Sequence, residues 1–109
     1  MDWTRELDAS ITVCDAEGNI VYMNDKAKAT FKKWGGDLVG SNLKDCHNPN
    51  SWEIIKKLIA HDEKNIYTME KEGIKKLIYQ APWYNDKKVA GLVELSLEIP
   101  FEMQHRVRD

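Results

Sequence analysis

The chain has 109 residues, of which 42% are hydrophobic and 31% charged, and this composition is typical of one compact domain. Its 16 basic and 18 acidic residues leave a net charge of -2, which excludes the strong positive field of general phosphate binding, so we expect no nucleic-acid partner. No apolar run reaches the length of a membrane span or a signal-peptide core, so we expect no membrane partner and a cytoplasmic location.

Residues 1–10 are predicted to form an N-terminal helical cap. Trp3 and Leu7 are four residues apart, which places both side chains on one side of a short helix over residues 2–9. That apolar side would pack on the outer face of a sheet or on a second copy of the chain. We therefore predict that Trp3 and Leu7 contribute to an interface.

A β-hairpin and a helix are predicted next. Residues 11–14 and 19–23 are β-branched and aromatic runs, separated by a turn that ends at Gly18. Asn24 can cap a helix over residues 25–34, because its side-chain oxygen can accept from a free helix N–H. The apolar stripe of that helix and the glycine pair that ends it are Ala27, Phe31, Trp34, Gly35 and Gly36.

Residues 37–48 form a predicted connection to a second helix. The apolar anchors of the connection, which we expect to enter the core, are Leu38, Val39 and Leu43. The second helix is predicted to have Asn50 as its N-cap, with Glu53 three residues later as in a capping box, and to end near His61.

Three further strands predict an antiparallel meander. They cover residues 65–70, 74–81 and 88–98, with turn residues between them, and Pro100 ends the last one. Apolar and polar residues alternate in the last strand, so we expect its apolar side to face the interior and its acidic side to face water or a partner. The apolar positions are Val89, Val93, Leu95 and Leu97, and the polar ones are Glu94, Ser96 and Glu98.

The order of these elements is two strands, helices, then three strands. This order predicts an α+β fold, in which one five-stranded antiparallel sheet carries the helices on one face. The predicted domain covers residues 11–99 and is followed by a charged tail over residues 100–109.

Between residues 11 and 99 the chain resembles the PAS family of sensor domains. The members of that family have this same PAS-like order of two strands, helices and three strands. The motif residues that carry the resemblance are Asp15, Gly18, Ile20, Asn24, Ala27, Phe31, Leu38, Val39, Gly40 and Leu43. The segment 45–49, Asp-Cys-His-Asn-Pro, is similar to the Cys-His-Pro-Pro element of a bacterial PAS subgroup found beside hemerythrin-like domains. The last strand ends in Glu-Ile-Pro at 98–100, where many PAS domains have an Asp-Ile-Thr element that leads to an effector. The resemblance implies a sensory or signalling module that binds a small molecule, forms a homodimer, or does both.

A ligand cavity in such a domain would lie between the helices and the sheet. Tyr67, Tyr79 and Trp83 occupy alternate positions of predicted strands, from which their side chains would point together at the cavity floor, although ordinary core packing explains the same pattern. The expected ligand is small and either apolar or aromatic. The residues predicted to bind it are Met23, Trp34, Cys46, His47, Trp52, Ile55, Tyr67, Tyr79, Trp83 and Val93.

Haem or a metal ion is the alternative ligand. Cys46 and His47 have the right chemistry, because thiolate and imidazole both bind soft metals and haem iron, but a buried thiol and a loop histidine are the simpler interpretation. The resemblance also points to His61, since some haem-binding PAS domains hold iron through a histidine on the corresponding helix. A histidine at a helix C-terminus is equally explained by the helix dipole. No metal-ligand motif is present, and Cys14 and Cys46 are too few for a disulfide framework.

The chain has no phosphate loop, nucleophile elbow or metalloprotease motif, so we expect no catalytic activity. Three functions remain open: a ligand-binding sensory module, a purely structural dimerisation domain, and a haem or metal redox sensor.

Overall fold

A computed structural model describes all 109 residues and contains five strands, three α-helices and one short 3-10 helix. In chain order these are β1 Ser10–Asp15, β2 Ile20–Met23, α1 Asp25–Thr30, the 3-10 helix Lys32–Trp34, α2 Leu43–Cys46, α3 Pro49–His61, β3 Asn65–Lys71, β4 Ile74–Asn85 and β5 Lys88–Ile99. The strands form one antiparallel sheet in the order β2-β1-β5-β4-β3. The predicted α+β fold, with a five-stranded antiparallel sheet, is confirmed.

The predicted N-terminal helix is wrong, because residues 3–6 form turns and no helix precedes β1. Asn24, whose side chain is 1% exposed, donates hydrogen bonds from Nδ2 to the carbonyl oxygens of Thr4 (2.9 Å) and Ala9 (2.8 Å). Its Oδ1 accepts from the backbone N–H groups of Ile11 and Ala27, both at 3.0 Å. One buried amide therefore binds the N-terminal segment, β1 and α1 together, and it takes the carbonyl of Thr4, which a helix over residues 2–9 would use internally.

Helix α1 is shorter than the predicted helix over residues 25–34. Asn24 is its N-cap as expected, but the helix ends at Thr30 and continues as a 3-10 turn, which Gly35 closes in a left-handed conformation (φ 115°). A 3-10 turn has three residues per turn rather than 3.6, so Trp34 leaves the stripe of Ala27 and Phe31. Trp34 is consequently 64% exposed.

Helix α3 begins two residues earlier than predicted. Asn48, not Asn50, is its N-cap, since Asn48 Oδ1 accepts from the backbone N–H of Ser51 over 2.8 Å and Pro49 occupies the first helical position. Glu53 therefore has no capping-box role, and its carboxylate pairs with the Lys56 ammonium at 2.7 Å. The helix ends at His61, as predicted.

The connection before α3 contributes less to the core than expected. Leu43 is buried within the short helix α2, and Leu38 packs against the core, but Val39 is exposed.

No helix of the structure combines the length and the apolar composition that a membrane-spanning helix requires.

Strand β4 continues past Ala81, through Pro82, to Asn85. The neighbouring strand β3 begins at Asn65, opposite Gln80, so β4 has a partner strand on only one side from Ala81 onwards. Pro82, which has no backbone N–H, is tolerated there because one side of the strand makes no hydrogen bonds to a neighbouring strand.

The sheet has an inner face, which packs against the helices, and an outer face, which does not. The core on the inner face consists of Cys14, Ile20, Met23, Ala27, Leu43, Ile55, Leu58 and Leu92. Residues paired across antiparallel strands share a face and successive residues alternate, so Leu92 on β5 places Glu94 on the inner face and Val93 on the outer face. The expected orientation of β5 is therefore wrong: Val93, Leu95 and Leu97 point outward.

Candidate functional site

Two adjoining cavities lie between the inner face of the sheet and the helices. The first, which we call the apolar cavity, has a volume of about 30 Å3 and is lined by Thr12, Ile20, Met23, Phe31, Leu38, Leu43, Cys46, His47, Ile55, Leu92 and Glu94. The second, which we call the polar cleft, has a volume of about 360 Å3 and is lined by His47, Ser51, Ile54, Ile55, Asn65, Tyr67, Gln80 and Glu94. His47, Ile55 and Glu94 line both, so they mark the junction between the two.

A chain of hydrogen bonds crosses β3, β4 and β5 on the floor of the polar cleft. Asn65 Nδ2 donates to Gln80 Oε1 over 2.9 Å, and Gln80 Nε2 donates to Glu94 Oε2 over 2.8 Å. A carboxylate only accepts hydrogen bonds, so the charge of Glu94 sets the orientation of the Gln80 amide, which in turn sets that of Asn65. The three residues are neighbours because register pairs Asn65 with Gln80 and Gln80 with Glu94.

His47 lies at the junction because it follows directly after α2. Its Nδ1 is 3.2 Å from the carbonyl oxygen of Leu43, and the bond forms in the tautomer that carries a proton on Nδ1, which leaves Nε2 as an acceptor. Cys46, the preceding residue, contributes to the wall of the apolar cavity and is also exposed to solvent.

The polar cleft contains a carboxylate but no lysine or arginine. The four ion pairs of the structure join other residues, and Glu94 takes part in none of them. Burial raises the pKa of the Tyr67 hydroxyl, and the nearby negative charge of Glu94 raises it further. Burial also raises the pKa of the Cys14 thiol, which belongs to the hydrophobic core, to about 11.

Five of the ten predicted ligand-binding residues line these cavities. They are Met23, Cys46, His47, Ile55 and Tyr67. Whether they bind a ligand stays a prediction, but the structure does bring them together.

The other five predicted residues lie elsewhere. Tyr79 and Val93 are on the outer face of the sheet, as is Trp83, whose indole Nε1 donates to the carbonyl oxygen of Cys14 over 2.9 Å. The prediction that Tyr67, Tyr79 and Trp83 point together at one floor is therefore wrong. Trp34 is exposed, and Trp52 packs on the turn of the first hairpin, where a Cβ on Gly18 would lie only 2.4 Å from the indole.

The polar residues of the site were missed in the sequence. The alternation in β5 predicts Glu94 on the side opposite its apolar neighbours, which are expected in the interior, and it predicts no role for Asn65 or Gln80. One feature of the sequence indicates the observed orientation. Leu92 and Glu94 are two residues apart and so lie on the same face of the strand, and with Leu92 as the core residue Glu94 points inward.

The residues present do not fit a haem group. The apolar cavity, at about 30 Å3, is far smaller than the ~300–1,000 Å3 of pockets that enclose ligands of drug size, and the larger cleft has a polar floor with a carboxylate. His61 lines neither cavity and is exposed at the end of α3. The structure also has no group of three or more His, Cys, Asp or Glu side chains placed to hold a metal ion.

No protein-family model and no curated protein sequence matches the chain. Solved structures with the same fold do. The PAS domain of the histidine kinase ThkA is 22% identical, with a TM-score of 0.63, and the match covers 81% of this chain and 96% of that one. A C-terminal domain from Streptococcus mutans is 22% identical with a TM-score of 0.69, and the match covers 86% of this chain and 78% of that one.

A third similar structure is the Aer2 receptor from Vibrio cholerae, described as a dual PAS-haem oxygen sensor. It is 16% identical with a TM-score of 0.62, and the match covers 84% of this chain and 95% of that one. Identities this low speak for the arrangement of the backbone rather than for a shared ligand. The order of strands, the helices on one face of the sheet and these similarities together show that the chain has the fold of PAS domains.

Proposed function

We propose that the chain is a sensory module that binds a small molecule in the polar cleft and has no catalytic activity of its own. The observation that carries the proposal is the cleft itself, an opening of about 360 Å3 between α3 and the sheet with six hydrogen-bonding side chains at its floor and rim. Its volume lies in the ~300–1,000 Å3 range of small-molecule sites, and such sites combine apolar walls with a few placed polar groups.

The cleft is well placed to transmit a signal. Its wall includes Ile54 and Ile55 of α3, and its floor includes Glu94 of β5, the central strand that pairs with both β1 and β4. A ligand that bridges α3 and β5 would favour one spacing of the helix from the sheet. The ligand would raise the population of the state with that spacing, to an extent set by the difference in its affinity for the two states. The residues after β5 would then move with the strand.

Native mass spectrometry on gently purified protein tests the proposal. We expect the wild-type chain to retain an added mass, and we expect Ser51→Phe, which projects a ring into the cleft, to lose it. Asn50→Phe is the matched control, because Asn50 is exposed and does not line the cleft. An absorbance spectrum of the same sample detects haem. The proposal fails if the wild-type chain carries no added mass and no metabolite fraction raises its melting temperature.

Homodimerisation is a second candidate function, supported by the outer face of the sheet. Apolar side chains of the three central strands form a continuous, partly exposed surface there, which includes Val13, Leu77, Tyr79, Val93, Leu95 and Leu97. Apolar patches of this kind mark interaction sites. The N-terminal segment borders this surface, since the Thr4 hydroxyl is 2.8 Å from the hydroxyl of Tyr22, and the exposed Trp3 and Leu7 would extend the interface.

Sedimentation velocity separates this candidate from the first. We expect a concentration-dependent dimer that Leu97→Lys or Trp3→Ala weakens, whereas Val39→Lys, a change of an exposed loop residue, leaves it intact. A chain that stays monomeric at millimolar concentration would exclude the dimer without affecting the ligand proposal.

A further inference from the structure

We propose that the polar cleft selects a primary amine, bound as its ammonium ion with the nitrogen at Glu94 and the apolar part of the molecule against Ile55 and Tyr67. This inference rests on the proposed function, because it names the class of ligand for the same cleft. It differs from the apolar or aromatic ligand expected from the sequence in requiring a positive charge.

The first argument is the balance of hydrogen-bonding groups in the cleft. Gln80 supplies the only hydrogen bond to the carboxylate of Glu94, through Oε2, so Oε1 is free to accept. Asn65 uses its amino group on Gln80 and keeps its own carbonyl oxygen free. The open positions on this chain of hydrogen bonds are therefore acceptors, and a ligand group bound at them supplies donors, whereas the hydroxyls of Ser51 and Tyr67 in the same cleft can donate or accept.

The second argument is charge. The cleft contains no lysine or arginine, and Glu94 takes part in none of the four ion pairs of the structure. A cationic donor bonded to a carboxylate forms a charge-assisted hydrogen bond, which is about twice as strong as a neutral one. An anionic ligand would instead be placed beside an unpaired negative charge in a partly buried cleft.

The N-terminus of α3 borders the cleft, and its dipole favours an anion, which opposes this argument. Its donors are largely used: Pro49 has no N–H, and the Ser51 N–H bonds to Asn48 Oδ1 at 2.8 Å. Even the whole partial charge of a helix N-terminus, about half an elementary charge, is smaller than the full charge of Glu94. The net electrostatic potential in the cleft is therefore negative.

The wall of the cleft limits the rest of the ligand. Ile54 and Ile55 provide apolar surface, and the aromatic ring of Tyr67 can stack on a ring or contact a cation. The volume of about 360 Å3 admits one small ring with a short chain. Phenethylamine has this form, and phenethyl alcohol and phenylacetate have nearly the same shape without the positive charge.

Isothermal titration calorimetry of these three compounds with the full chain tests the inference. We expect phenethylamine to bind the wild-type chain about ten- to hundredfold more tightly than phenethyl alcohol, and phenylacetate to bind most weakly. Glu94→Gln should remove the preference for the amine. Glu98→Gln is the matched control, because Glu98 is an exposed carboxylate on the same strand and the same face, outside the cleft.

Each outcome decides the question. Equal affinity for the amine and the alcohol, or a preference for phenylacetate, overturns the amine inference but leaves the proposed small-molecule site intact. Binding of none of the three by the wild-type chain also overturns it, while an added mass in native mass spectrometry would still support a ligand of another class. The wild-type series does not depend on how well Glu94→Gln folds, and amide chemical shifts of Ile55 and Gln80 locate the bound compound.

Discussion

The two faces of the sheet differ in how their apolar residues are used. The inner face combines a small core with a polar chain from Asn65 through Gln80 to Glu94, and the helices cover both. The outer face is the more uniformly apolar of the two along β5, with Val93, Leu95 and Leu97, yet no element of the chain packs there as a layer. A regular apolar alternation therefore marks a face that excludes water, but it does not say whether the chain or a partner covers that face.

Removal of a large side chain from the inner face should have the largest effect. Ile55 is 2% exposed and touches both cavities, so we expect Ile55→Ala to reduce the free energy of unfolding by about 3 kcal/mol. Urea denaturation followed by tryptophan fluorescence measures this. The neighbouring Ile54 is 46% exposed and serves as the control, with an expected loss below about 1 kcal/mol for Ile54→Ala. Equal losses for the two variants would show that the inner face is not the packed one.

High pH should destabilise the inner face through Cys14. Burial raises the pKa of this thiol from 9.0 to about 11. Between these two values the unfolded chain has lost the proton and the folded chain retains it, so the unfolded state gains stability as the pH rises. We expect a loss of about 3 kcal/mol, which begins near pH 9 and is complete above pH 11.

Other groups also titrate in this range, so the Cys14→Ala variant is the reference for that measurement. The difference in unfolding free energy between wild type and Cys14→Ala should shrink across the same interval, as measured by urea denaturation at each pH. A difference that stays constant with pH would show that the thiol ionises as easily in the folded chain as in the unfolded one.

A matched truncation on the outer face should cost less than the one at Ile55. We expect Leu95→Ala to reduce the free energy of unfolding by about 1 kcal/mol at dilutions where the chain is monomeric, since this side chain remains partly exposed. At higher concentration the loss should grow if a dimer buries the residue, because association stabilises the folded state by mass action. A concentration-independent loss as large as that of Ile55→Ala would contradict the comparison of the two faces.

The smallest effect concerns the two thiols, and it needs no substitution. Cys14 is buried with a raised pKa, whereas Cys46 is exposed before α3. We expect one thiol to react quickly with a disulfide reagent in the native chain and two in denaturant. Fast reaction of both thiols in the native chain would indicate that the inner face opens readily.

Much of the fold could be predicted from local patterns. The hairpin of β1 and β2, the meander of β3 to β5, the cap at Asn24 and the end of α3 all follow from periods, turns and caps that act within a few residues. The N-terminal segment could not be predicted in this way. Its conformation depends on Asn24, some 20 residues later, whose amide takes the carbonyl of Thr4.

The candidate site also has a part that local patterns predict and a part that depends on tertiary packing. The amino-acid pattern alone establishes the five strands and α3, and hence that Met23, Ile55 and Tyr67 come from elements that meet, because these elements follow from short-range sterics and hydrogen bonding. Only the tertiary structure decided which face of β5 meets the helices. A strand has a period of two, so that one choice moves every side chain together, and here it turned Glu94 into the cleft and Val93 away from it.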